Sequence, residues 1–304
     1  MNSDPGKKRT QTLKKTPSPE RSLKKIMASI SHPSRGAVTP YYESEGFVLY
    51  NDDSLEILER VPENSVDMIF ADPPYMLSND GFTCQNGRMV SVNKGKWDKS
   101  SGFEEDMRFH EAWISACRRV LKPGGTIWIS GTYHSIYQCG FLLQKLDFHM
   151  LNDITWFKPN ASPNLSCRFF TASHETVLWA RKDKKAKHTF NYDAMKNGDF
   201  PEDKMKKENT QMRSVWSIPT PPQSEKESGK HPTQKPLALL KRIVAASTNP
   251  GDVIIDPFNG AGTTGIASLC LGGRKYIGIE LVREYCDLTV KRVERFKGND
   301  GAAE

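Results

Sequence analysis

The 304-residue sequence lacks several features that would assign it to other classes of protein. No apolar run reaches the ~18–20 residues that a bilayer-spanning helix needs. The N-terminus has no apolar stretch of secretory type, so we expect an intracellular, cytosolic protein without a membrane partner. The six cysteines include no Cys-x-x-Cys pair, and no His-Glu-x-x-His cluster occurs. We therefore expect neither disulfides nor a bound metal.

Positive charge is concentrated at the N-terminus. Residues 1–40 carry nine Lys or Arg against two acids, while the rest of the chain is formally neutral. The same stretch is rich in Ser, Thr and Pro, so we predict a disordered basic tail over residues 1–45. Such a tail can hold nucleic acid nonspecifically, or it can be a solvated leader with no specific role. Residues 7–25 also resemble a bipartite nuclear-import signal.

Short apolar runs alternate with amphipathic segments from residue 46 onward. Predicted strands cover residues 47–50, 66–71, 126–130, 154–157, 176–180, 253–256 and 275–280. Predicted helices cover residues 55–60, 103–121, 133–146, 236–247, 265–271 and 284–296. This alternation is typical of a doubly wound α/β fold, whose mostly parallel sheet is covered by helices on both faces. Ligands of such sheets bind at the carboxyl ends of the strands.

Two stretches interrupt this pattern. Residues 76–101 are polar and aperiodic, which predicts a long irregular loop of functional importance. Residues 181–230 carry twelve Lys or Arg and eight Asp or Glu with few aliphatic residues, which indicates a surface insertion and a candidate target-recognition region. We therefore predict one domain in two halves, 46–180 and 231–297, that flank the 181–230 insertion and precede a short tail at 298–304.

A glycine-rich turn follows the predicted strand at 253–256. Its sequence, Asp-Pro-Phe-Asn-Gly-Ala-Gly-Thr-Thr-Gly over residues 256–265, matches Gly-x-Gly-x-x-Gly, and Glu280 ends the next strand. Glycines allow close approach of a ligand to the backbone, and the acid can accept hydrogen bonds from ribose hydroxyls. The pattern alone supports NAD and S-adenosylmethionine about equally, or a turn without a ligand. Asp256 favours S-adenosylmethionine, because a carboxylate suits its cationic amino-acid end and would repel a pyrophosphate.

The tetrapeptide Asp72-Pro73-Pro74-Tyr75 follows another apolar strand. The exocyclic amine of a base is a poor nucleophile, because its lone pair is delocalised into the ring. The Asp72 carboxylate and the Pro73 carbonyl can each accept one N–H of such an amine, and the two prolines hold that backbone rigid. Tyr75 offers a face for an unstacked base. The alternative is a rigid turn with a surface Asp and a packing Tyr.

With both motifs in view, the chain resembles the amino-group DNA methyltransferases over residues 46–296. The tetrapeptide precedes the glycine-rich turn, an order similar to that of the circularly permuted beta class. The resemblance implies a seven-stranded, mostly parallel sheet of the S-adenosylmethionine-dependent methyltransferase type. The Asp-first tetrapeptide favours N6 of adenine, since a Ser-first version is commoner in N4-cytosine enzymes. Residues 82–99 resemble small adenine methylases of restriction systems, some of which act on GATC.

The resemblance also implies roles for individual residues. The implied catalytic residues are Asp72, Pro73, Pro74 and Tyr75. The implied cofactor-binding residues are Asp53, Lys235, Asp256, Pro257, Phe258, Gly260, Gly262, Thr263, Thr264 and Glu280. The implied DNA-binding residues are Trp156, Lys158 and Arg168. Asp53 is equally well explained as a helix N-cap and Trp156 as a core residue, and a solvated charged face is the alternative for Lys158 and Arg168.

The expected reaction is direct methyl transfer from S-adenosylmethionine to a base flipped out of DNA. The expected partner is DNA, and relatives are often homodimers. Cytosine-C5 methylation is disfavoured, because it needs a cysteine nucleophile after proline and the sequence has no Pro-Cys pair. The alternatives are N4-cytosine methylation, methylation of a protein glutamine amide, an NAD-dependent oxidoreductase and a noncatalytic DNA-binding module.

Overall fold

The computed structural model describes residues 19–300 except residues 33, 35, 77–81, 86–87, 92–97, 199, 201–206 and 208–209. The strands in this part of the chain are β1 (Tyr42–Ser44), β2 (Phe47–Asn51), β3 (Val66–Ala71), β4 (Phe82–Gln85), β5 (Arg88–Ser91), β6 (Leu121–Gly131), β7 (His149–Phe157), β8 (His174–Arg181), β9 (Val215–Ser217), β10 (Val253–Asp256) and β11 (Lys275–Glu280). The helices are α1 (Pro19–Ile30), α2 (Ser54–Arg60), α3 (Phe103–Val120), α4 (Ile136–Lys145), α5 (Tyr192–Asn197), α6 (Leu237–Ser247), α7 (Thr263–Cys270) and α8 (Arg283–Asp300).

Nine strands form one sheet, in the order β1-β2-β11-β10-β3-β6-β8-β7-β9. Five adjacent strands of this sheet are parallel to one another, namely β2, β11, β10, β3 and β6. Strand β8 runs antiparallel to both of its neighbours, β6 and β7. The seven strands that lie between β1 and β9 in this order correspond to the seven strands predicted from the sequence. The predicted, mostly parallel α/β fold is therefore confirmed. β1 and β9 add one edge strand on each side of these seven.

Helices cover both faces of the sheet, as expected for a doubly wound fold. Alternate residues of each strand point to opposite faces, so that Val48 packs into one hydrophobic cluster and Leu49 into the other. The first cluster holds apolar residues of α1, α2, α3 and α4. The second holds those of α6, α7 and α8. None of the described helices has the length and apolar character needed to cross a bilayer.

The predicted N-terminal tail differs from the structure. Residues 19–30 form α1 rather than disordered chain, and β1 begins at Tyr42. Leu23, Ile26 and Ile30 recur at helical spacing and are buried in the first cluster. Local composition is dominated by Lys and Ser and conceals this stripe of three aliphatic residues. Residues 1–18 of the predicted tail lie outside the described residues.

The predicted irregular loop at 76–101 contains a two-stranded antiparallel hairpin, in which β4 pairs with β5. The register places Gln85 opposite Arg88, so that two residues connect the strands. The prediction of an irregular loop was therefore wrong for this part, because the hairpin strands are too short and polar to show an alternating pattern.

The 181–230 stretch returns to the sheet at its edge. It contains α5, a 3₁₀ helix over Gln223–Lys226 and β9, which pairs in parallel with β7. Trp216 of β9 and the nearby Ile218 are buried in the second hydrophobic cluster. This part of the stretch therefore extends the sheet instead of lying on the surface as a separate unit.

Candidate active site

The two motifs singled out in the sequence meet at one edge of the sheet. The carboxyl ends of β2, β3, β10 and β11 surround a cavity of about 490 Å³, and both Asp72 and Gly260 line it. Small-molecule sites typically span roughly 300–1,000 Å³, so the cavity suits a ligand of that class. The predicted site residues that line the cavity are Asp53, Asp72, Pro73, Pro74, Tyr75, Lys235, Asp256, Pro257, Phe258, Gly260, Thr263, Thr264 and Glu280.

The tetrapeptide Asp72–Tyr75, here called the corner, directly follows β3, and its last residue contacts its first. The Tyr75 hydroxyl donates a hydrogen bond of 2.5 Å to the Asp72 carboxylate. The Tyr75 backbone N–H donates a hydrogen bond of 2.8 Å to Asp98, which is fully buried. Tyr75 itself is 3% exposed, and carboxylates hold both its backbone N–H and its hydroxyl.

Lys235 occupies this corner. Its ammonium donates hydrogen bonds to the Asp72 carboxylate, to the Tyr75 hydroxyl at 2.7 Å and to the Thr233 carbonyl at 3.4 Å. It also lies 3.7 Å from the Glu175 carboxylate and 5.2 Å from the centre of the Tyr75 ring. The sequence implied a cofactor contact for Lys235, whereas the structure directs its charge to the tetrapeptide.

Glu175, the second residue of β8, completes the group. One of its oxygens lies 3.2 Å from the Tyr75 hydroxyl, and the other accepts a hydrogen bond of 3.1 Å from Lys158. Two lysines and two carboxylates thus lie around one tyrosine hydroxyl, each side chain no more than 15% exposed. Their formal charges cancel, which is the condition under which buried charges are tolerated.

These groups shift one another's ionisation. Burial raises the pKa of Asp72, and the Lys235 ammonium opposes that effect. The pKa of Glu175 is lowered, because the two lysines outweigh the cost of its burial. The pKa of Lys235 is raised, since the attraction of Asp72 and Glu175 outweighs the effect of burial. The corner therefore stabilises an ionised Glu175 next to a protonated Lys235, whereas at Asp72 the effect of burial outweighs that of the lysine.

The three glycines of the 256–265 turn pack against different parts of the protein. Gly260 (φ +52°) faces the cavity, and a Cβ there would lie 3.4 Å from the His231 ring. Gly262 (φ +72°) lies against α8 and not in the cavity lining, and its Cβ would lie 2.6 Å from the Thr289 side chain. A Cβ on Gly265 would lie 2.3 Å from Phe47, so this glycine allows α7 to pack on the sheet. Only Gly260 of these three approaches the site of a ligand.

Hydrogen bonds within the protein hold two acids of the site, Asp256 of the turn and Glu280 at the end of β11. Asp256 accepts hydrogen bonds from the Thr264 hydroxyl at 2.6 Å and the Phe258 N–H at 3.1 Å. Glu280 accepts from the N–H groups of Gly260 at 2.7 Å and Val282 at 2.9 Å. Both carboxylates are buried, and burial raises the pKa of each to about 7. Each oxygen has a second lone pair that stays available to a ligand.

Asp53 combines two features expected from the sequence. Its carboxylate caps α2 by accepting from the N–H of Leu55 at 2.8 Å and that of Glu56 at 3.4 Å. The same residue lines the cavity beside Asp52. The N-cap alternative is thus confirmed, and the side chain remains at the rim of the site.

Two of the three predicted DNA-binding residues are engaged inside the protein. Trp156 is 2% exposed and donates a hydrogen bond of 2.7 Å to the Ile218 carbonyl, so it is a core residue of the second cluster. Lys158 pairs with Glu175 instead of facing solvent. The core alternative for Trp156 is therefore what the structure shows, and a contact of these two side chains with DNA stays a prediction. Arg168 is exposed on the loop between β7 and β8.

Several residues in or beside the cavity were missed in the sequence. Glu175 and Asp98 contact Tyr75, and the rings of His231 and Tyr285 meet at 4.2 Å on the other side of the cavity. An acid at the start of a predicted apolar strand was the available sign of Glu175. His231 lies four residues before Lys235, which the resemblance had implied to be a cofactor-binding residue, whereas Tyr285 is an ordinary position of an amphipathic helix.

Comparison with known proteins yields one consistent family. Residues 66–291 match a family model described as DNA methylase. The type II methyltransferase M2.LlaDCHI of Lactococcus lactis subsp. cremoris is 51% identical over 257 residues, which cover 84% of this chain and 92% of the relative. The type II methyltransferase M2.DpnII of Streptococcus pneumoniae is 50% identical over 256 residues, with the same shares of both chains.

Similarity extends to solved structures. A crystal structure described as a complex of M1.HpyAVI with SAM is 29% identical and has a TM-score of 0.59. The match covers 81% of this chain and 98% of that one. The architecture is thus shared with a structure that contains SAM.

Proposed function

The chain belongs to the DNA methylase family, and we propose that it transfers the methyl group of S-adenosylmethionine to N6 of adenine in DNA. The observation that carries the proposal is the shared cavity: the Asp72–Tyr75 corner and the glycine-rich turn line the same space. A methyl donor and a base amine need such proximity for direct transfer. The names of the relatives, which are type II methyltransferases, support a modification enzyme of a restriction system.

The residues of the 256–282 region fit S-adenosylmethionine. Glu280, at the end of β11, presents a buried carboxylate where a ribose diol would donate hydrogen bonds, and Gly260 leaves room for close approach. The acids Asp52, Asp53 and Asp256 give this side of the cavity a negative charge that suits a sulfonium and an ammonium group. S-adenosylmethionine, when bound, supplies an electrophilic methyl group.

The corner residues orient the nucleophile. The Asp72 carboxylate and the Pro73 carbonyl accept the two N–H groups of the base amine and so direct its lone pair toward the methyl group. Pro73 and Pro74 fix that geometry, because each has a restricted φ. The proton lost from the amine passes to the Asp72 carboxylate, and from there to solvent. The flipped base stacks on the Tyr75 ring, which lines the cavity.

DNA contacts lie on the loops around the cavity. The loop between β7 and β8 exposes Arg168 next to Phe169 and Phe170, which are 66% and 96% exposed. Its two ends carry Lys158 and Glu175, so the loop rises directly beside the catalytic corner. The exposed guanidinium suits phosphate or base contacts, and the aromatic pair suits stacking against bases.

A second copy of the chain is the proposed protein partner. Tyr133, Tyr137 and Phe141 recur at helical spacing around α4 and are 57%, 75% and 58% exposed. Such a stripe is large for a free surface and suits self-association. Sedimentation analysis of the protein and of the variant Tyr137→Glu tests this: the variant is expected to be monomeric.

Mass spectrometry of nucleosides tests the reaction. DNA incubated with the protein and S-adenosylmethionine is expected to yield N6-methyladenine, and incubation without the protein to yield none. N4-methylcytosine as the product would instead support the alternative substrate, which this family also includes. No methylated base at any DNA sequence tested, despite a folded protein that binds S-adenosylmethionine, would overturn the proposal.

A further inference from the structure

We propose that Lys235 and Glu175 are positioning residues of the catalytic corner: Lys235 favours the ionised form of the Asp72 carboxylate that accepts the target amine, and Glu175 holds Lys235 and Tyr75 in place. This inference rests on the proposed function. Three separate parts of the chain supply the charges: the turn after β3, the start of β8 and the segment before α6. None of the roles implied by the sequence assigned these two residues to the transfer of the methyl group.

The geometry favours an electrostatic role for Lys235. Its three ammonium protons have three acceptors, the Asp72 carboxylate, the Tyr75 hydroxyl and the Thr233 carbonyl. The Lys235 side chain is 5% exposed, so its charge is screened little by water. A lysine held in this way is a fixed positive charge beside Asp72, and its donors do not point toward the acids of the glycine-rich turn.

Glu175 balances that charge. It lies 3.7 Å from the Lys235 ammonium and 3.2 Å from the Tyr75 hydroxyl, while Lys158 neutralises its other oxygen. Glu175 thus helps to hold Lys235 and Tyr75 in position beside Asp72. Its negative charge also opposes ionisation of Asp72, so removal of Glu175 and removal of Lys235 have opposite electrostatic effects on the same carboxylate.

The charged and titratable groups around Asp72 come from every neighbouring element. Tyr75 faces it from its own turn, Lys235 from the segment before α6, Glu175 from β8 and Asp256 from β10. Among these, Lys235 carries the positive charge, and the carboxylates carry the opposing one. A single lysine therefore opposes the effects of burial and of two acids at Asp72.

Ionisation of Asp72 matters because only the charged carboxylate is purely an acceptor of hydrogen bonds. A protonated Asp72 would present a donor to an amine that also donates, and it could not take up the proton released by transfer. Loss of Lys235 leaves Asp72 and Glu175 as two carboxylates in one largely buried site. One of them then holds a proton at neutral pH.

The test is the pH dependence of kcat for DNA methylation in three proteins. For Lys235→Met, the acid limb of the profile is expected to move to higher pH by roughly 1–3 pH units, with kcat recovering at high pH. For Glu175→Gln, which keeps the shape of the side chain, the limb is expected to move to lower pH. Lys235→Arg retains the charge and is expected to restore the wild-type limb at least in part.

Calorimetry with S-adenosylmethionine separates this role from cofactor binding. The Kd of Lys235→Met for S-adenosylmethionine is expected to stay within about threefold of wild type, whereas a cofactor contact would raise it far more. The control is Lys122→Met, which removes the Lys122–Asp67 pair at the opposite end of β3 and is expected to leave the acid limb in place. Thermal unfolding establishes that each variant is folded.

Three results would overturn the inference. The first is an acid limb that stays at the wild-type pH in Glu175→Gln. This variant tests the proposal even if Lys235→Met does not fold. The second is a shift in the same direction for both variants. The third is a large loss of S-adenosylmethionine affinity in Lys235→Met without a shift of the limb. Failure of the proposed function is a distinct outcome, because the wild-type protein would then methylate no DNA.

Discussion

The Thr264 hydroxyl donates a hydrogen bond of 2.6 Å to the Asp256 carboxylate, eight residues earlier in the chain. The bond ties the start of α7 to the end of β10 and closes the glycine-rich turn around a buried acid. Burial raises the pKa of that acid to about 7, well above its value of 3.8 in an unfolded chain. The turn therefore contains a carboxyl group whose charge opposes folding at neutral pH.

The first prediction concerns stability and pH. Because the folded state binds the Asp256 proton more tightly, the stability that this group contributes is present below about pH 4 and is lost as pH rises through about 7. The effect is on the order of 4 kcal/mol at most, since one pKa unit corresponds to about 1.4 kcal/mol. Asp256→Asn is expected to raise the Tm relative to wild type, and more at pH 8 than at pH 4. A difference in Tm that does not vary with pH would contradict this.

The second prediction concerns the catalytic corner. Asp72→Ala removes an acceptor for the target amine and is expected to reduce methyl transfer at least about 100-fold. Binding of S-adenosylmethionine, followed by calorimetry, is expected to persist, because the turn after β10 is unchanged. Asp67→Asn, at the other end of β3, serves as the control and is expected to keep most of the activity. Full activity of Asp72→Ala would remove the basis for the assigned role.

The third prediction concerns Gly262. A side chain there must adopt φ near +72° and would also clash with Thr289, so Gly262→Ala is expected to destabilise the protein by about 2–5 kcal/mol. Gly272→Ala has a similar φ of +62° but no atom within 4 Å of its Cβ, and it is expected to cost only about 1–2 kcal/mol. Adding Thr289→Ser, which removes the clashing methyl group, is expected to restore part of the loss. Chemical denaturation measures all three, and equal losses for the two glycines would refute the packing argument.

The fourth prediction concerns the N-terminal helix. Ile26 of α1 is 1% exposed in the first hydrophobic cluster, so Ile26→Ala is expected to lower the free energy of unfolding by about 2–4 kcal/mol. Lys24→Ala, on the exposed side of the same helix, is expected to change it by less than about 0.5 kcal/mol. Urea titration distinguishes them. No effect of Ile26→Ala would mean that α1 does not pack on the domain.

The fifth prediction concerns DNA binding. Arg168→Ala is expected to weaken DNA affinity and to reduce the slope of log K against log salt by about 1, as expected for one lost phosphate contact. Lys184→Ala is the control. It is exposed just beyond the carboxyl end of β8, and the antiparallel register of β8 with β6 places that end away from the cavity. Fluorescence anisotropy over a range of salt concentrations measures both variants, and equal effects would argue against a role specific to Arg168.

The sequence could predict most of the elements near the site. The strands at 253–256 and 275–280 have the predicted bounds, and the turn between them follows from glycine and proline chemistry. The hairpin at 82–91 and α1 were missed, because their apolar residues are few and lie among polar neighbours. The sequence indicated only that both motifs follow strands and so lie at the carboxyl edge of the sheet; the structure supplied the pairing of β3 with β10.

The sequence by itself determined the two motifs of the cavity. One is the acid and two prolines that follow β3, and the other is the glycine-rich turn after β10, which lies between Asp256 and Glu280 in the chain. Those features are local, set by residues within a few positions of each other. The tertiary structure alone decided that Lys235 pairs with Asp72, 163 positions away, and that Trp156 is buried. Such features depend on strand register and on which side chain reaches a buried charge. The periodicity of the sequence predicts neither of them.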